Sequence, residues 1–269
     1  MKKLFILLSI FVSSTVMAQN EGARTLSLII EAQKAADDST RTVLANEAAD
    51  IFEQALSTGD DISKQLDGRT ISALSSPLGN FTIYSWGIQF ADGHYQYYGF
   101  AQVMSEYGGA VVTRFADTSD ETSDPQNASM QPDNWYGAIY YELVQLGGKK
   151  SNVYALVGWD GGDLFLNRKV LEQVRVKSDG SIYFGGYFTD EHNQKHERLI
   201  FEYTEKAVMC LRFEPKYKMF VADHLSSPPN STFAGNAQVM GPDGSFDGYQ
   251  YVKGEWLYVK DIDFKGSRF

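Results

Sequence analysis

The stretch FTIYSWGIQFADGHYQYYGFAQVM, residues 81–104, decides the fold class. Aromatic and β-branched side chains fill two short runs of this stretch, and the pair Asp92-Gly93 stands between them. Such runs favour β-strands, and Asp-Gly is typical of a tight hairpin turn. The stretch therefore predicts two antiparallel strands, 81–90 and 94–104, joined by that turn.

The same pattern continues towards the C-terminus, with further Gly-containing pairs at hairpin spacing. The additional predicted strands span residues 109–116, 135–146, 152–158, 166–176, 181–188, 198–204, 207–214, 217–222, 248–253 and 255–263. Together they predict a mainly β protein in which an antiparallel meander forms a sandwich or an open barrel. Because Asp-Gly recurs near strand ends in YSWGIQFADG, LVGWDGGD and GPDGSFDGY, as it does in propeller blades, a small propeller-like fold is the alternative.

The first 18 residues, MKKLFILLSIFVSSTVMA, have the pattern of a secretory signal peptide. A basic start and an apolar run precede Val16 and Ala18, the small residues expected before a cleavage site. We therefore expect an exported, soluble protein of the periplasm or the cell exterior. Residues 19–66 are expected to form an N-terminal helical segment, and residues 67–269 an antiparallel β domain.

Within the helical segment, apolar residues over 43–56 recur at the i, i+3, i+4 spacing of an amphipathic helix. Ser39 or Thr40 is expected to cap the start of this helix, and Gly59 to end it. A shorter helix is predicted over 25–36. The apolar stripe needs a partner, and the β region that follows is the expected one.

Two long segments carry no strand pattern, residues 117–134 and residues 225–247. The first contains five acidic residues and few apolar ones. Loops of such length are either functional or disordered. The second contains Pro228-Pro229, which excludes a central strand at that point.

Composition narrows the classes of partner. The formal net charge of −10 argues against nucleic acid, whose phosphates require clusters of Lys and Arg. The apolar run of the signal peptide is too short for a stable anchor, so the chain is not expected to span a membrane. Cys210 is the only cysteine, so an intramolecular disulfide is impossible, and its apolar surroundings predict a buried hydrophobic role.

Five motifs occur in a characteristic order between residues 80 and 263: FTIYSW, YALVGWDG, FEYTEKAVMCLRFEP, ADHLSSPP and GPDGSFDGY. In this order the chain resembles a family of exported, uncharacterised β-rich proteins of Gram-negative bacteria. The resemblance implies export and a β-rich fold. It implies no activity and no site residues.

The stretch GPDGSFDG places Asp243, Ser245 and Asp247 at alternate positions, like the first half of a calcium-binding loop. The second half of such a loop would need ligands where this chain has Tyr251 and Gly254. No cofactor is expected from the sequence, except that calcium is a candidate on the first half of the loop pattern, with these three residues as its candidate ligands. The alternative is an ordinary loop, because Asp, Ser and Gly are also common turn formers.

The stretch GWDGGD contains two carboxylates around two glycines. Asp160 and Asp163 are candidate ligands for a cation or a sugar, with Trp159 as a stacking surface. The alternative is a hairpin turn between strands 152–158 and 166–176, with Trp159 in the core.

Two further pairs of titratable residues are candidate sites. Asp223 and His224 are candidate catalytic residues, although a triad needs a third member and adjacent residues on a strand point to opposite faces. Asp223 is alternatively a strand anchor that binds backbone amides. His192 and His196 would share one face of a strand as metal ligands, or else form a polar hairpin tip.

The aromatic content provides candidate binding surfaces or core residues: Tyr95, Tyr97, Tyr98, Trp135, Tyr136, Tyr140 and Tyr141. Glu142, Glu202 and Glu255 lie on or beside predicted strands, where a pair of carboxylates can serve glycoside hydrolysis. The sequence favours a non-enzymatic module that binds a protein, a peptide or a glycan. A hydrolase of envelope or extracellular polymers is the alternative, and a calcium-stabilised structural protein is the third hypothesis.

Overall fold

The predicted hairpin of residues 81–104 is present in the computed structural model, which describes residues 21–58, 66–105 and 108–264. It forms the centre of sheet 1. The strands of this sheet lie in sequential order: β1 (Ser72–Ser75), β2 (Phe81–Gln89), β3 (Tyr95–Met104) and β4 (Ala110–Phe115). The predicted signal peptide lies outside the described residues.

Two further sheets follow. Sheet 2 has the order β11-β7-β6-β5, with β8 attached to β7, and consists of β5 (Ile139–Leu146), β6 (Val153–Asp160), β7 (Leu166–Val176), β8 (Ile182–Phe184) and β11 (Arg198–Thr204). Sheet 3 has the order β10-β9-β15-β14-β13-β12, and consists of β9 (Phe188–Thr189), β10 (Lys195–His196), β12 (Leu211–Glu214), β13 (Met219–Ser226), β14 (Gly241–Val252) and β15 (Glu255–Val259). The pairings between these strands are antiparallel, except for the short contact of β9 with β15.

The predicted fold class is confirmed, because strands hold 43% of the residues that the structure describes and helices 18%. The sheets stack face to face as layers, so that sheets 1 and 2 are each covered on both sides. Alternation along a strand divides its side chains between two cores. In β6, Leu156 faces sheet 1 and Val157 faces sheet 3.

Two helices cover the outer face of sheet 1: α1 over residues 21–34 and α2 over Asp38–Ser57. Phe52 of α2 is fully buried, and its ring packs edge-on against Tyr84, Trp86 and Phe100 at centroid distances of 5.2, 5.3 and 5.3 Å. The β region is therefore the partner of the apolar stripe, as expected.

The start of α2 differs from the prediction. Asp37, rather than Ser39 or Thr40, is the capping residue, and its carboxylate accepts a hydrogen bond of 2.9 Å from the amide of Thr40. An Asp at this position satisfies one of the amides that the first helical turn leaves without a partner. The predicted end at Gly59 lies outside the described residues.

The expectation that 225–247 is irregular was wrong at both ends. β13 continues to Ser226 and β14 begins at Gly241, so GPDGSFDG is the first part of a strand and not a loop. A register shift between Asp223 and Leu225 lets the two strands stay paired beyond it. The proline pair at 228–229 lies outside both strands.

Smaller differences concern strand ends and Cys210. The predicted strand 181–188 is divided into β8 and β9, and β1 has no counterpart in the prediction. The predicted strands 135–146 and 207–214 begin late, at Ile139 and Leu211. Cys210, just before β12, is only partly buried, and burial raises the pKa of its thiol.

A fully buried ion pair lies on the face of sheet 2 that meets sheet 1. Glu172 of β7 and Arg198 of β11 are direct cross-strand partners, with the guanidinium Nε 3.1 Å from the carboxylate and neither side chain exposed. Tyr140 donates a second hydrogen bond to Glu172, and Trp135 donates one of 2.8 Å to the Tyr140 hydroxyl. Burial raises the pKa of Glu172, while Arg198 and Tyr140 act in the opposite direction.

Arg198 also fixes the long segment 117–134. Its Nη1 donates to the carbonyl oxygens of Pro125 and Ala128, the latter at 2.9 Å. The carbonyl of Gln126 in turn accepts the backbone amides of Glu197 and Arg198. The segment therefore has a defined path across the edge of sheet 2.

We expect Arg198→Met to lower the free energy of unfolding by about 3–5 kcal/mol, because it leaves the Glu172 carboxylate buried without its counter-charge. Urea unfolding followed by tryptophan fluorescence measures this change. Arg175→Met, at an exposed position of β7, is the matched control. The double variant Glu172→Met/Arg198→Met should recover part of the loss. An Arg198 variant as stable as the Arg175 variant would contradict the role given to the ion pair.

Candidate functional site

A cleft of about 370 Å³ opens where segment 117–134 crosses sheets 1 and 2. We call it the tyrosine cleft. Its walls come from β3, from residues 119–126, and from the strands of sheet 2. The side chains on which its chemistry depends are those of Tyr95, Tyr97, Tyr136, Asp160, Arg168 and Glu202.

Asp160 is the centre of the cleft's wall. It is the last residue of β6 and is buried, and its Oδ1 accepts hydrogen bonds of 2.8 Å from the Tyr97 hydroxyl and from the amide of Gly162. Its Oδ2 accepts from the Tyr136 hydroxyl at 2.6 Å and from Arg168 Nη1 at 3.2 Å. A carboxylate has about four acceptor positions, so the protein itself occupies those of Asp160. Asp160 therefore joins the β3 wall and the sheet 2 wall of the cleft to Tyr136.

Arg168 links Asp160 to Glu202. The contact among these three residues follows from strand register, because Arg168 of β7 is the cross-strand partner of Asp160 on β6 and of Glu202 on β11. Arg168 Nε donates to Glu202 at 2.7 Å. Burial acts to lower the pKa of the guanidinium, but Asp160 and Glu202 outweigh it and the pKa is raised. Arg168 is thus a permanent cation, between two acidic groups.

The tyrosines of the cleft are fixed hydrogen-bond donors. Burial, together with the negative charge of Asp160, raises the pKa of Tyr97 and of Tyr136 well above the usual range. Tyr95 is only half-buried and offers its ring to the cleft, where it stacks on Tyr97 at a centroid distance of 5.9 Å. A Cβ at Gly161 would lie 2.3 Å from the Tyr95 ring, so only glycine allows this packing.

A second cavity of about 240 Å³, the histidine pocket, lies beside the cleft and shares Gln126, Ile200 and Glu202 with it. Here His224 Nδ1 lies 2.7 Å from Asp247, and its Nε2 lies 4.0 Å from Asp243. The hydrogen bond to Asp247 raises the pKa of His224, and burial opposes the shift.

The candidate calcium ligands have partners within the protein. Asp243 Oδ1 accepts from the amide and the hydroxyl of Ser245, at 2.9 and 2.7 Å. Asp247 contacts His224 and accepts from the amide of Asp261 at 3.2 Å. Across the described ranges, no group of three or more His, Cys, Asp or Glu side chains is arranged to hold a metal ion. Calcium binding therefore stays a prediction to which this geometry adds no support.

Asp223 and His224 have different partners. Asp223 accepts the amide of Cys210 at 2.8 Å, across sheet 3 to the residue before β12, whereas His224 faces Asp247. His192 and His196 are also divided, since His196 contacts Asp190 at 3.1 Å and the exposed His192 lies 3.8 Å from Glu191. Asp223 and His224 therefore do not share one site, and neither do His192 and His196.

Of the three candidate residues in GWDGGD, which are Trp159, Asp160 and Asp163, Asp160 alone belongs to the cleft's hydrogen-bond network. Asp163 closes the turn, because its carboxylate accepts the amides of Phe165 and Leu166 at 2.7 and 3.0 Å. Trp159 packs edge-on against Tyr95 at 5.3 Å and so supports the cleft from behind.

The remaining candidates are divided between core and surface. Tyr97, Tyr98, Trp135, Tyr136 and Tyr140 are buried. Of the three glutamates, Glu202 lines the cleft, Glu142 accepts the amide of Phe213 at 2.9 Å, and Glu255 pairs with Lys195 at 3.3 Å.

Sequence reasoning missed Arg168 and Gln126. A signal for Arg168 was present, because a hairpin through Gly161 and Gly162 sets Asp160 opposite Arg168 as a cross-strand ion pair. No comparable local signal exists for Gln126, which meets its partners from a segment about 70 residues away along the chain.

No protein-family model matches the chain, and neither a curated protein nor a solved structure is significantly similar to it. In the part of the chain that the structure describes, no helix combines the length and apolarity needed to cross a membrane.

We expect Tyr136→Phe to lower the free energy of unfolding by about 1.5–3 kcal/mol, because the hydrogen bond it removes is made to a charged, buried acceptor. Chemical unfolding curves at neutral pH measure the change. Tyr187→Phe, at an exposed position, is the matched control and should have little effect. Equal stabilities of the two variants would show that Asp160 does not hold the cleft together.

The raised pKa of His224 predicts a pH-dependent stability. Since its pKa in the folded state lies above the ordinary value of 6.5, the charged imidazolium stabilises the fold at low pH, and this contribution is lost as the pH rises through the folded-state pKa. His224→Asn should therefore lower the free energy of unfolding more at about pH 6 than at about pH 9. Unfolding curves at both pH values test this, with the exposed His192→Asn as control. A wild type–variant difference that does not change with pH would contradict the assignment.

Proposed function

We propose that the protein is an exported binding module whose ligand site is the tyrosine cleft. The observation that carries this proposal is the set of four hydrogen bonds to Asp160, which joins β3, β7 and the residue Tyr136 around one cavity. A site fixed before its ligand arrives avoids the entropic cost of ordering on binding.

The chemistry of the cleft suits a polar ligand. Tyr95 supplies an accessible ring, and aromatic rings of this kind pack against apolar faces of sugars and against cationic side chains. Asp120, Asp124 and Glu202 add carboxylates at the opening, against the single cation Arg168. A peptide or a glycan fits this surface better than an anionic ligand does.

The alternative, a hydrolase, has less support from the same geometry. Glycoside hydrolysis requires one carboxyl group that donates a proton and a second that acts as base or nucleophile. Asp160 accepts four hydrogen bonds and Glu202 accepts one from Arg168, so both are held as acceptors. Asp223 and His224, the other candidate pair, have separate partners.

Export is supported by the basic and apolar pattern of residues 1–18, and by the resemblance to exported proteins of Gram-negative bacteria. That resemblance carries no activity, so the function proposed for the cleft depends on its geometry alone.

Amide NMR of the ¹⁵N-labelled chain 19–269 tests the proposal with two probes, a basic tetrapeptide and a neutral N-acetylhexosamine tetramer. At least one probe should shift the amides of Gly161, Gly162 and Gln126. Tyr95→Ala should weaken that binding roughly tenfold through lost ring contact. The exposed Tyr187→Ala is the control and should bind as the wild type does.

Two results would overturn the binding site. One is that neither probe shifts the cleft amides at millimolar concentration. The other is that Tyr95→Ala and Tyr187→Ala bind the active probe equally well.

A further inference from the structure

The outer edge of sheet 2 has a gap in its hydrogen bonding. β11 is the edge strand, and its even-numbered residues direct their amides away from β7. The chain itself provides acceptors for three of these amides: Gln126 O for Arg198 at 3.2 Å, Gln126 Oε1 for Ile200 at 3.1 Å and Met240 O for Thr204 at 3.0 Å. Edge strands are commonly covered in this way, because an open edge pairs with other chains.

Glu202 lies between Ile200 and Thr204, whose amides have acceptors within the chain. In an antiparallel pair the outward and inward groups alternate, so the amide and carbonyl of Glu202 point outward like those of Ile200 and Thr204. Within the described ranges, no acceptor meets the Glu202 amide. The uncovered position is also the one at which the tyrosine cleft and the histidine pocket meet.

The two cavities reach β11 from opposite faces and meet at its edge, where Ile200 and Glu202 line both of them. Arg168 lines the cleft alone, whereas Leu199 and Phe201 line the histidine pocket alone. Successive side chains of a strand point to opposite faces, so a segment that pairs with β11 would direct one side chain into the cleft and the next into the pocket.

Both cavities carry an excess of negative charge. The cleft is lined by Asp120, Asp124, Asp160 and Glu202, with Arg168 as the cation. The pocket is lined by Asp190, Glu191, Glu202 and Asp247, with His224. Arg168 and His224 are already engaged by Asp160, Glu202 and Asp247, so basic side chains complement both cavities.

We propose that the occupant of the tyrosine cleft is an extended peptide segment with two adjacent basic residues, which pairs with the backbone of Glu202 and directs one basic side chain into each cavity. This inference rests on the proposed function and names its ligand class. Strand addition of this kind is an established mode of peptide recognition. Gln126 covers the amides of Arg198 and Ile200 with one backbone carbonyl and one side-chain oxygen, so a bound segment supplies the next acceptor along this edge, at Glu202.

Hydrogen exchange tests the pairing directly in the ¹⁵N-labelled chain 19–269. The probe is acetyl-Gly-Lys-Arg-Gly-amide, with acetyl-Gly-Gln-Gln-Gly-amide as its neutral match. At saturation with the basic peptide, exchange of the Glu202 amide should slow by about tenfold, while the already bonded Thr204 amide changes little.

Charge variants test each cavity by itself. Asp124→Asn in the cleft and Glu191→Gln in the pocket should each raise the Kd of the basic peptide by roughly three- to tenfold, and added salt should weaken binding. Glu205→Gln, just beyond β11 and outside both cavities, is the matched control and should bind as the wild type does.

The outcomes separate this inference from the function on which it rests. Three outcomes would overturn the basic-peptide proposal and leave the binding module standing. They are shifts of the cleft amides with the saccharide alone, equal binding of the neutral and basic peptides, and unchanged hydrogen exchange of the Glu202 amide. If neither the peptides nor the saccharide shifts the cleft amides, both proposals fall.

Discussion

The ion pair between Glu172 and Arg198 is the interaction on which the rest of the structure depends. Both side chains are fully buried, and a buried charge is tolerated only where a counter-charge and hydrogen bonds compensate for lost water. Arg198 meets this condition by bonding to Glu172 and to the carbonyls of Pro125 and Ala128. The groups that compensate the charge of Arg198 thereby hold β7, β11 and segment 117–134 together.

The tyrosine cleft uses the same principle a short distance away. β7 carries Arg168 and Glu172 on one face, four residues apart, so one strand belongs to both polar networks. Asp160 fills its acceptor positions with groups from separate elements, and its partners cannot move independently. The groups of this wall that stay accessible are the ring of Tyr95, the outer carboxylates and the backbone of Glu202. These are groups with which a ligand can interact.

Individual site residues could be selected from the sequence, but their partners could not. Asp160 could be selected because Asp-Gly-Gly-Asp brings two carboxylates together. Of these two carboxylates, that of Asp160 lines the cleft and that of Asp163 does not. Asp243 and Asp247 suggested calcium through local spacing, yet Asp247 contacts His224, 23 positions away. Tyr97 and Asp160 are separated by 63 positions. The spacing of residues along one strand shows which side chains share a face. It does not show which side chains of the opposing sheet they contact.

The sequence by itself determined the mainly β class, the hairpin of residues 81–104 and the helix that packs beside it. These features depend on neighbours along the chain: strand-forming runs, Asp-Gly turns and the helical repeat of apolar residues. The tertiary structure decided how far β13 and β14 extend and which polar groups meet in the cleft. The physical reason is burial, because the partner that a buried charge or an amide needs is selected only when separate sheets and segments pack together.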